Sequence, residues 1–272
     1  MLGEAYLISS LPMEPTDPAV VAREVATALR AGSAVIALTG AGASVESGIA
    51  PYRAPGVTGW MWSGLALVGY PIAGCGHAWD NWPRVAYFFY SRFFRASVRA
   101  ATPNACHTFL ADIGASVVTT NVDDLHERAG PTDYADYVAA VHGTVSAEIC
   151  AGCGRGAAAC AHSHAACGYP RPAVLLFGDR LYPDTAAAAV RRAEYLVDRA
   201  KASDTPLVFV VGVSWALPTF AQFLAELRTC GGRIIHVNVA PPPAEYSAPN
   251  DVFVRESAAA FFKRCREKYH MR

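Results

Sequence analysis

The 272 residues are 53% apolar and only 17% charged, which leaves enough material to bury a substantial core. Lys plus Arg and Asp plus Glu balance at 23 each, and no block of like charge stands out. Composition therefore gives no support to dominant attraction to nucleic acid or to an anionic membrane, and a small-molecule or short-peptide substrate is the expectation.

The opening segment, MLGEAYLISSLPMEPTDP, has no basic lead and no apolar stretch long enough for a secretion signal. The longest apolar runs, such as PLVFVVGVSWALP, fall short of the roughly 20 residues a spanning helix needs. Cys75, Cys106, Cys230 and Cys265 are scattered, unlike a disulfide framework. An intracellular home, cytoplasmic or nuclear, with no membrane partner, is expected.

Asp17 followed by Pro18 offers an N-cap and a first helical position, and Gly32 a stop, so PAVVAREVATALRA reads as a helix. AVIALT (34–39) then reads as a buried strand, and so do ASVVTT (115–120), PLVFVVG (206–212) and RIIHVN (233–238). Helical segments between them, including PDTAAAAVRRAEYLVDRAKA, predict an α/β fold: a Rossmann-like, doubly wound parallel sheet. Two stretches break the rhythm, 54–100, rich in aromatics, and 143–178, rich in Cys, Gly and Ala. Both are expected as insertions forming a smaller lobe, with the large lobe at approximately 17–53, 101–142 and 179–260 and the functional cleft between the two.

Four segments carry chemistry. TGAGASVESG (39–48) directly follows the first strand; its glycines permit close backbone approach, and a helix N-terminus just beyond would aim N–H groups at a phosphate. The spacing departs from G-x-G-x-x-G, and a turn that merely needs glycines reads equally well. TTNVDDLHERAG (119–130) sets Asn121, Asp123 and His126 at a strand's carboxyl end, where ligands bind in open parallel sheets and where an amide and a carboxylate can hold a carboxamide; a polar turn is the plainer alternative. VHGTV supplies His142, a candidate general base or a structural histidine. Cys150, Cys153, Cys160 and Cys167 supply four thiolates, enough to close a tetrahedral structural zinc, with His162 or His164 able to replace Cys160.

Taken in order, these segments resemble the sirtuins, the NAD-dependent protein deacylases. GAGASVESGIAPYR (40–53) is similar to the family's NAD loop, TTNVDDLH (119–126) to its nicotinamide-pocket segment and His142-Gly143 to its catalytic histidine. The cysteine cluster with CGYPRPAVLLFGD (167–179) resembles its zinc module and substrate strand, GVSWALP (212–218) and VNVAP (237–241) its later nucleotide loops, and TPNACHTFLADI (102–113) one of its helices. The resemblance implies one sirtuin-type domain over 1–272, NAD and one structural zinc ion as cofactors, and an acyl-lysine protein or peptide as partner, with no nucleic acid. In such enzymes the acyl oxygen attacks C1′ of the nicotinamide ribose, nicotinamide leaves and a histidine base activates a ribose hydroxyl, giving deacylated lysine and O-acyl-ADP-ribose.

Carried onto this chain, the resemblance makes His142 the base, with Asn121 and Asp123 at the nicotinamide side. Gly40, Ala41, Gly42 and Ser44 would seat the cofactor with Arg53, Thr120, Gly212, Ser214 and Asn238, while Val174, Leu175, Phe177 and Gly178 would pair with substrate. Some positions depart from the pattern: Pro51 stands where an acidic residue is usual, Thr120 where glutamine is, and Trp215 is bulkier than usual. Family members that remove succinyl or malonyl groups carry Tyr-x-x-Arg on the insertion; here Phe89-x-x-Arg92 keeps the arginine. Arg92 therefore either meets an anionic acyl group or points to solvent. The alternatives to a deacylase are an NAD-dependent ADP-ribosyltransferase or NAD hydrolase, and a binding module without turnover.

Overall fold

The computed structural model describes residues 13–49, 75–150, 155–156, 170–176, 178–179, 184–215 and 219–271. Its centre is a six-stranded sheet in the order β3-β2-β1-β6-β7-β8, built from β1 (Val35–Thr39), β2 (Ser116–Thr119), β3 (Val138–Ala140), β6 (Leu207–Val211), β7 (Arg233–Asn238) and β8 (Val252–Arg255). Every pairing is parallel. Strand order runs outward from β1 in both directions, so the chain reverses between β1 and β6, the place where an open α/β sheet leaves a crevice.

Strands buried on both faces need helices on both sides. On one face α1 (Pro18–Arg30), α5 (Ala105–Asp112) and α8 (Ala258–His270) cover Ala37, Val117, Phe209 and Ile235, with Phe261 and Phe262 fully buried. On the other, α6 (Asp184–Lys201) and α7 (Ala221–Thr229) cover Ile36, Leu38, Val118 and Val210 through Leu196, Val197, Leu224 and Leu227. Each fully buried phenylalanine contributes about 1.5–3 kcal/mol of transfer free energy. The caps agree with the sequence: Asp17 accepts from the Ala19 amide at 2.7 Å, Pro18 opens α1, and Gly32 follows its end at φ +82°. Arg30 in turn donates to the carbonyls of Lys268, Tyr269 and Met271, satisfying the far end of α8.

The insertion between β1 and β2 contributes α2 (Gly76–Asn81), α3 (Pro83–Phe89), a π-helical turn (Tyr90–Arg95) and α4 (Ala96–Ala100). Trp79, Ala86, Tyr90 and Val98 share one apolar cluster with Val145 and Val174 of an antiparallel pair, β4 (Gly143–Cys150) and β5 (Pro170–Val174). Arg95 and Glu148 pair across this contact, and Tyr90 donates to the Val145 carbonyl at 2.7 Å. The aromatic stretch and the β4–β5 pair thus pack on one another.

Two expectations change. The sheet has six strands where four were expected, β3 and β8 being the additions. The glycine loop enters no α-helix within the described residues; it forms two 3-10 turns, Ala41–Ala43 and Val45–Ser47. Along the expected substrate strand, Val174 pairs with Gly143, the Leu175 amide donates to the His142 carbonyl at 2.9 Å, and the Leu176 amide donates to Asp179 Oδ2 at 3.2 Å.

Candidate active site

The carboxyl ends of five parallel strands lie along one edge of the sheet, where its crevice is expected. Gly40 follows β1, Asn121 and Asp123 follow β2, His142 follows β3, Gly212 follows β6, and Asn238 ends β7. The floor is backbone on backbone. Gly42 donates to the Gly212 carbonyl at 3.0 Å, Gly40 to Val211 at 2.9 Å, and Gly212 to Val237 at 3.0 Å. A Cβ on Gly42 would run into the Gly212 backbone, and one on Gly212 into Gly42 and Ala43, while Gly212 also stands at φ +59°. Only glycine gives both freedoms at that position. The Ala43 amide is spent on Gly40, and that of Ala41 has no acceptor among the described residues.

Above this floor Ser44 ties together the polar groups expected from the sequence. Its hydroxyl donates to Asp123 Oδ2 at 2.7 Å and accepts from Asn121 Nδ2 at 3.1 Å; the same amide nitrogen donates to the Gly40 carbonyl at 3.1 Å. Asp123 Oδ1 accepts from the Leu125 amide at 3.0 Å. Both amide hydrogens of Asn121 are therefore used, and its Oδ1 is left without a donor among the described residues. Burial pushes the Asp123 carboxyl above its usual range, with the Ser44 and Leu125 hydrogen bonds acting in the opposite direction.

His142 is half-buried beside the main chain of Thr120. Burial holds its ring below the ordinary imidazole value, and the Thr120 backbone hydrogen bond partly offsets this. It is therefore a neutral imidazole at physiological pH, the form a general base requires. Thr120 turns its hydroxyl toward the Thr39 carbonyl at 3.5 Å. Beyond β6, Ser214 is exposed, and Asn238 donates to the Val213 carbonyl at 2.8 Å. The bulk of Trp215 goes into packing: it stands at φ +56°, almost buried, and stacks on Tyr246 with ring centroids 4.3 Å apart.

Two further histidines are buried next to these groups: His126, which the sequence set at the strand's carboxyl end, and His107, which sequence reasoning did not single out. His126 meets Thr39 Oγ1 through Nε2 at 3.0 Å, and its buried Nδ1 has no partner among the described residues. The His107 ring lies 4.6 Å from it. Burial pushes His107 down to about 4 and His126 well below the ordinary value, His107 adding to the effect on His126. Asp124, at φ +56°, accepts from the hydroxyls of Thr144 and Ser146 and so ties the loop after β2 to β4.

On the insertion, Arg92 is exposed in the π-helical turn and Phe89 packs against the insertion's apolar cluster. Cys150 is buried at the end of β4; its amide donates to the Arg155 carbonyl at 2.8 Å and Ile149 bridges Gly156. Arg53, Phe177, Cys153, Cys160, Cys167, His162 and His164 lie outside the described residues. Among the described residues no cluster of metal-ligating side chains occurs, and no helix is long and apolar enough to cross a membrane.

The family model described as the Sir2 family matches residues 40–214, well over half the chain and all of this crevice except Asn238. The protein belongs to the Sir2 family. Relatives of this Sir2-family chain include the NAD-dependent protein deacylase of Aeropyrum pernix, 33% identical over 242 residues that cover 84% of this chain and 89% of that one. NAD-dependent protein deacylase 2 of Pseudomonas aeruginosa is 30% identical over 230 residues, covering 79% and 84%. Among solved structures, one determined for the mechanism and regulation of Sir2 enzymes superposes with a TM-score of 0.64 at 25% identity, covering 92% of this chain and 98% of that one. A Sir2 homologue mutant in complex with ADP-ribose gives 0.66 at 26% identity, covering 90% and 97%.

Proposed function

We propose that this Sir2-family protein is an NAD-dependent deacylase of lysine side chains in proteins or peptides, yielding nicotinamide and O-acyl-ADP-ribose. The observation that carries the reading is the Gly40–Ser44–Asn121–Asp123 cluster at the sheet's reversal point, with a neutral histidine, His142, beside it. The close-packed glycines and the open Ala41 amide suit a pyrophosphate, and Asn121 Oδ1 suits the NH2 of a carboxamide. NAD, when bound, supplies the ribose carbon that accepts the acyl oxygen and a ribose hydroxyl for the second step.

The chain's own residues then have separable tasks. Gly40, Ala41, Gly42 and Ser44 seat the cofactor with Arg53, Thr120, Gly212, Ser214 and Asn238. Asn121 and Asp123 orient the nicotinamide end, and His142 takes the proton from the ribose hydroxyl. Val174, Leu175, Phe177 and Gly178 would pair with an extended peptide added as a strand, so that main chain is read more than side chains. On this reading the sheet domain forms the large lobe, and the insertion with the β4–β5 pair forms the small one.

The test is mass spectrometry of acetyl-, succinyl-, malonyl- and long-chain-acyl-lysine peptides with NAD. Loss of the acyl group with stoichiometric O-acyl-ADP-ribose is the expected result. Nicotinamide release with every peptide left acylated would instead establish ADP-ribosyl transfer or NAD hydrolysis. A preference for succinyl or malonyl groups that Arg92→Ala removes would assign Arg92 to the acyl carboxylate, whereas an unchanged preference would leave it facing solvent.

A structural zinc held by Cys150, Cys153, Cys160 and Cys167 completes the small lobe in this proposal, and the bond from the Cys150 amide to the Arg155 carbonyl supports it by bringing residues on both sides of Cys153 together. Such an ion would supply folding free energy and take no part in the chemistry. Purified protein is expected to carry one zinc per chain by atomic emission, and Cys150→Ser to lose both metal and soluble yield. A soluble, metal-free Cys150→Ser protein with full activity would exclude the ion.

A further inference from the structure

The N-terminus of α5 is built as a bracket around the glycine loop. Asn104 Oδ1 accepts from the Cys106 amide at 2.9 Å, and the Asn104 amide donates to His107 Nδ1 at 3.2 Å, a reciprocal capping box. Both residues turn their remaining donors onto the loop. Asn104 Nδ2 donates to the Ala43 carbonyl at 2.8 Å and to Ser47 Oγ at 3.0 Å, on either side of Ser44. Since His107 Nδ1 is the acceptor for Asn104, the ring proton sits on Nε2, which faces Ser44 Oγ at 3.4 Å. His107 is fully buried and uncharged, so this one proton is all it offers.

A hydroxyl has one proton and two lone pairs. In Ser44 the proton goes to Asp123, one lone pair faces Asn121 Nδ2 and the other faces His107 Nε2. With His107 in place all three directions are used and the hydroxyl has a single orientation. That orientation commits both hydrogens of the Asn121 amide to Ser44 and Gly40 and leaves its Oδ1 without a donor among the described residues.

We propose that Asn104 and His107 are positioning residues for NAD, acting through Ala43, Ser44 and Ser47 to hold Asn121 and Asp123 in the orientation that receives the carboxamide. This rests on the NAD-dependent reading above. Neither residue needs to touch the cofactor; the signal in the sequence is the Asn-x-x-His spacing, and its partner is a loop some 60 residues earlier.

The deciding measurement is NAD affinity by titration calorimetry, alongside KM for NAD and for acyl-peptide. His107→Ala is expected to weaken NAD binding about fivefold, the worth of one buried hydrogen bond, with KM for peptide unchanged. His107→Gln, whose side-chain oxygen and nitrogen repeat the acceptor–donor pair, is expected to restore it. In a Ser44→Ala background, His107→Ala is expected to add nothing. Asn104→Asp keeps the cap oxygen but loses both donors to the loop, so it tests the bracket in a variant whose helix is still capped, and the same weakening is expected. Additive losses in the Ser44→Ala background, or a Gln variant as weak as the Ala one, or an Asn104→Asp protein with native affinity, would overturn the inference. Wild-type protein that binds NAD but removes no acyl group would overturn only the deacylase reading, while wild-type protein that does not bind NAD would overturn both.

Discussion

His142→Ala is expected to lower kcat for deacylation by about 10²–10⁴ while NAD still binds, because the substitution removes a proton acceptor and leaves the glycine floor and the Ser44 cluster intact. The pH profile of wild-type kcat/KM separates this from a purely structural effect. The folded site holds His142 below the ordinary imidazole value, so its neutral form persists as pH falls through 6.5, and the acid limb is expected below that point. Rate is lost on the acid side because the protonated ring cannot accept a proton. A wild-type acid limb above pH 7, or His142→Ala protein with native turnover, would assign the base to another group.

Arg171→Ala is expected to cost about 3–5 kcal/mol of stability and to lower the melting temperature by roughly 10 °C. Arg171 on β5 and Asp179 form a two-pronged pair, both side chains almost wholly buried, and Asp179 Oδ2 also accepts from the Leu176 amide at 3.2 Å. Gly76 of the insertion packs so tightly against Asp179 that a Cβ there would come within 2.9 Å of its carboxylate. Removing the guanidinium strands a charged carboxylate in that enclosure. Replacing both partners, Arg171→Met with Asp179→Leu, is expected to recover much of the loss, because the cost lies in the unpaired charge. Thermal melts of the two variants give the answer, and equal melting temperatures would show that packing of the long side chain is what matters.

Much of the fold was legible because its strands are long apolar runs bounded by turn residues: RIIHVN became a strand at its predicted limits and PAVVAREVATALR a helix with the predicted cap. The two strands missed in the central sheet are short and lie at its two edges. Val138–Ala140 follows a 3-10 turn and contains two alanines, and Val252–Arg255 is a four-residue edge strand, too brief for periodicity to register. The turns of the glycine loop were missed for a different reason. A run of glycines states that backbones approach closely, and only the partner, here Gly212 some 170 residues later, decides whether α-helix or 3-10 turns follow. His107 escaped attention because its contact with Ser44 is tertiary, while the segment that holds it was read only as one of the family's helices. Trp215 is bulkier than is usual at its place, and Tyr246 is what takes up that bulk.

The bond from the Leu175 amide to the His142 carbonyl carries a consequence for which lysines the enzyme selects. The proposed base and the proposed docking edge are adjacent rungs of one ladder, so an incoming strand is aligned with the histidine by its own peptide groups, whatever its neighbouring residues are. Such a device is promiscuous with respect to sequence and demanding with respect to shape, since it admits a target only where some residues on either side of the modified lysine can straighten. Discrimination among cellular acylated lysines would then track the local unfolding free energy of the target protein, with loops and tails processed first and lysines inside stable helices spared.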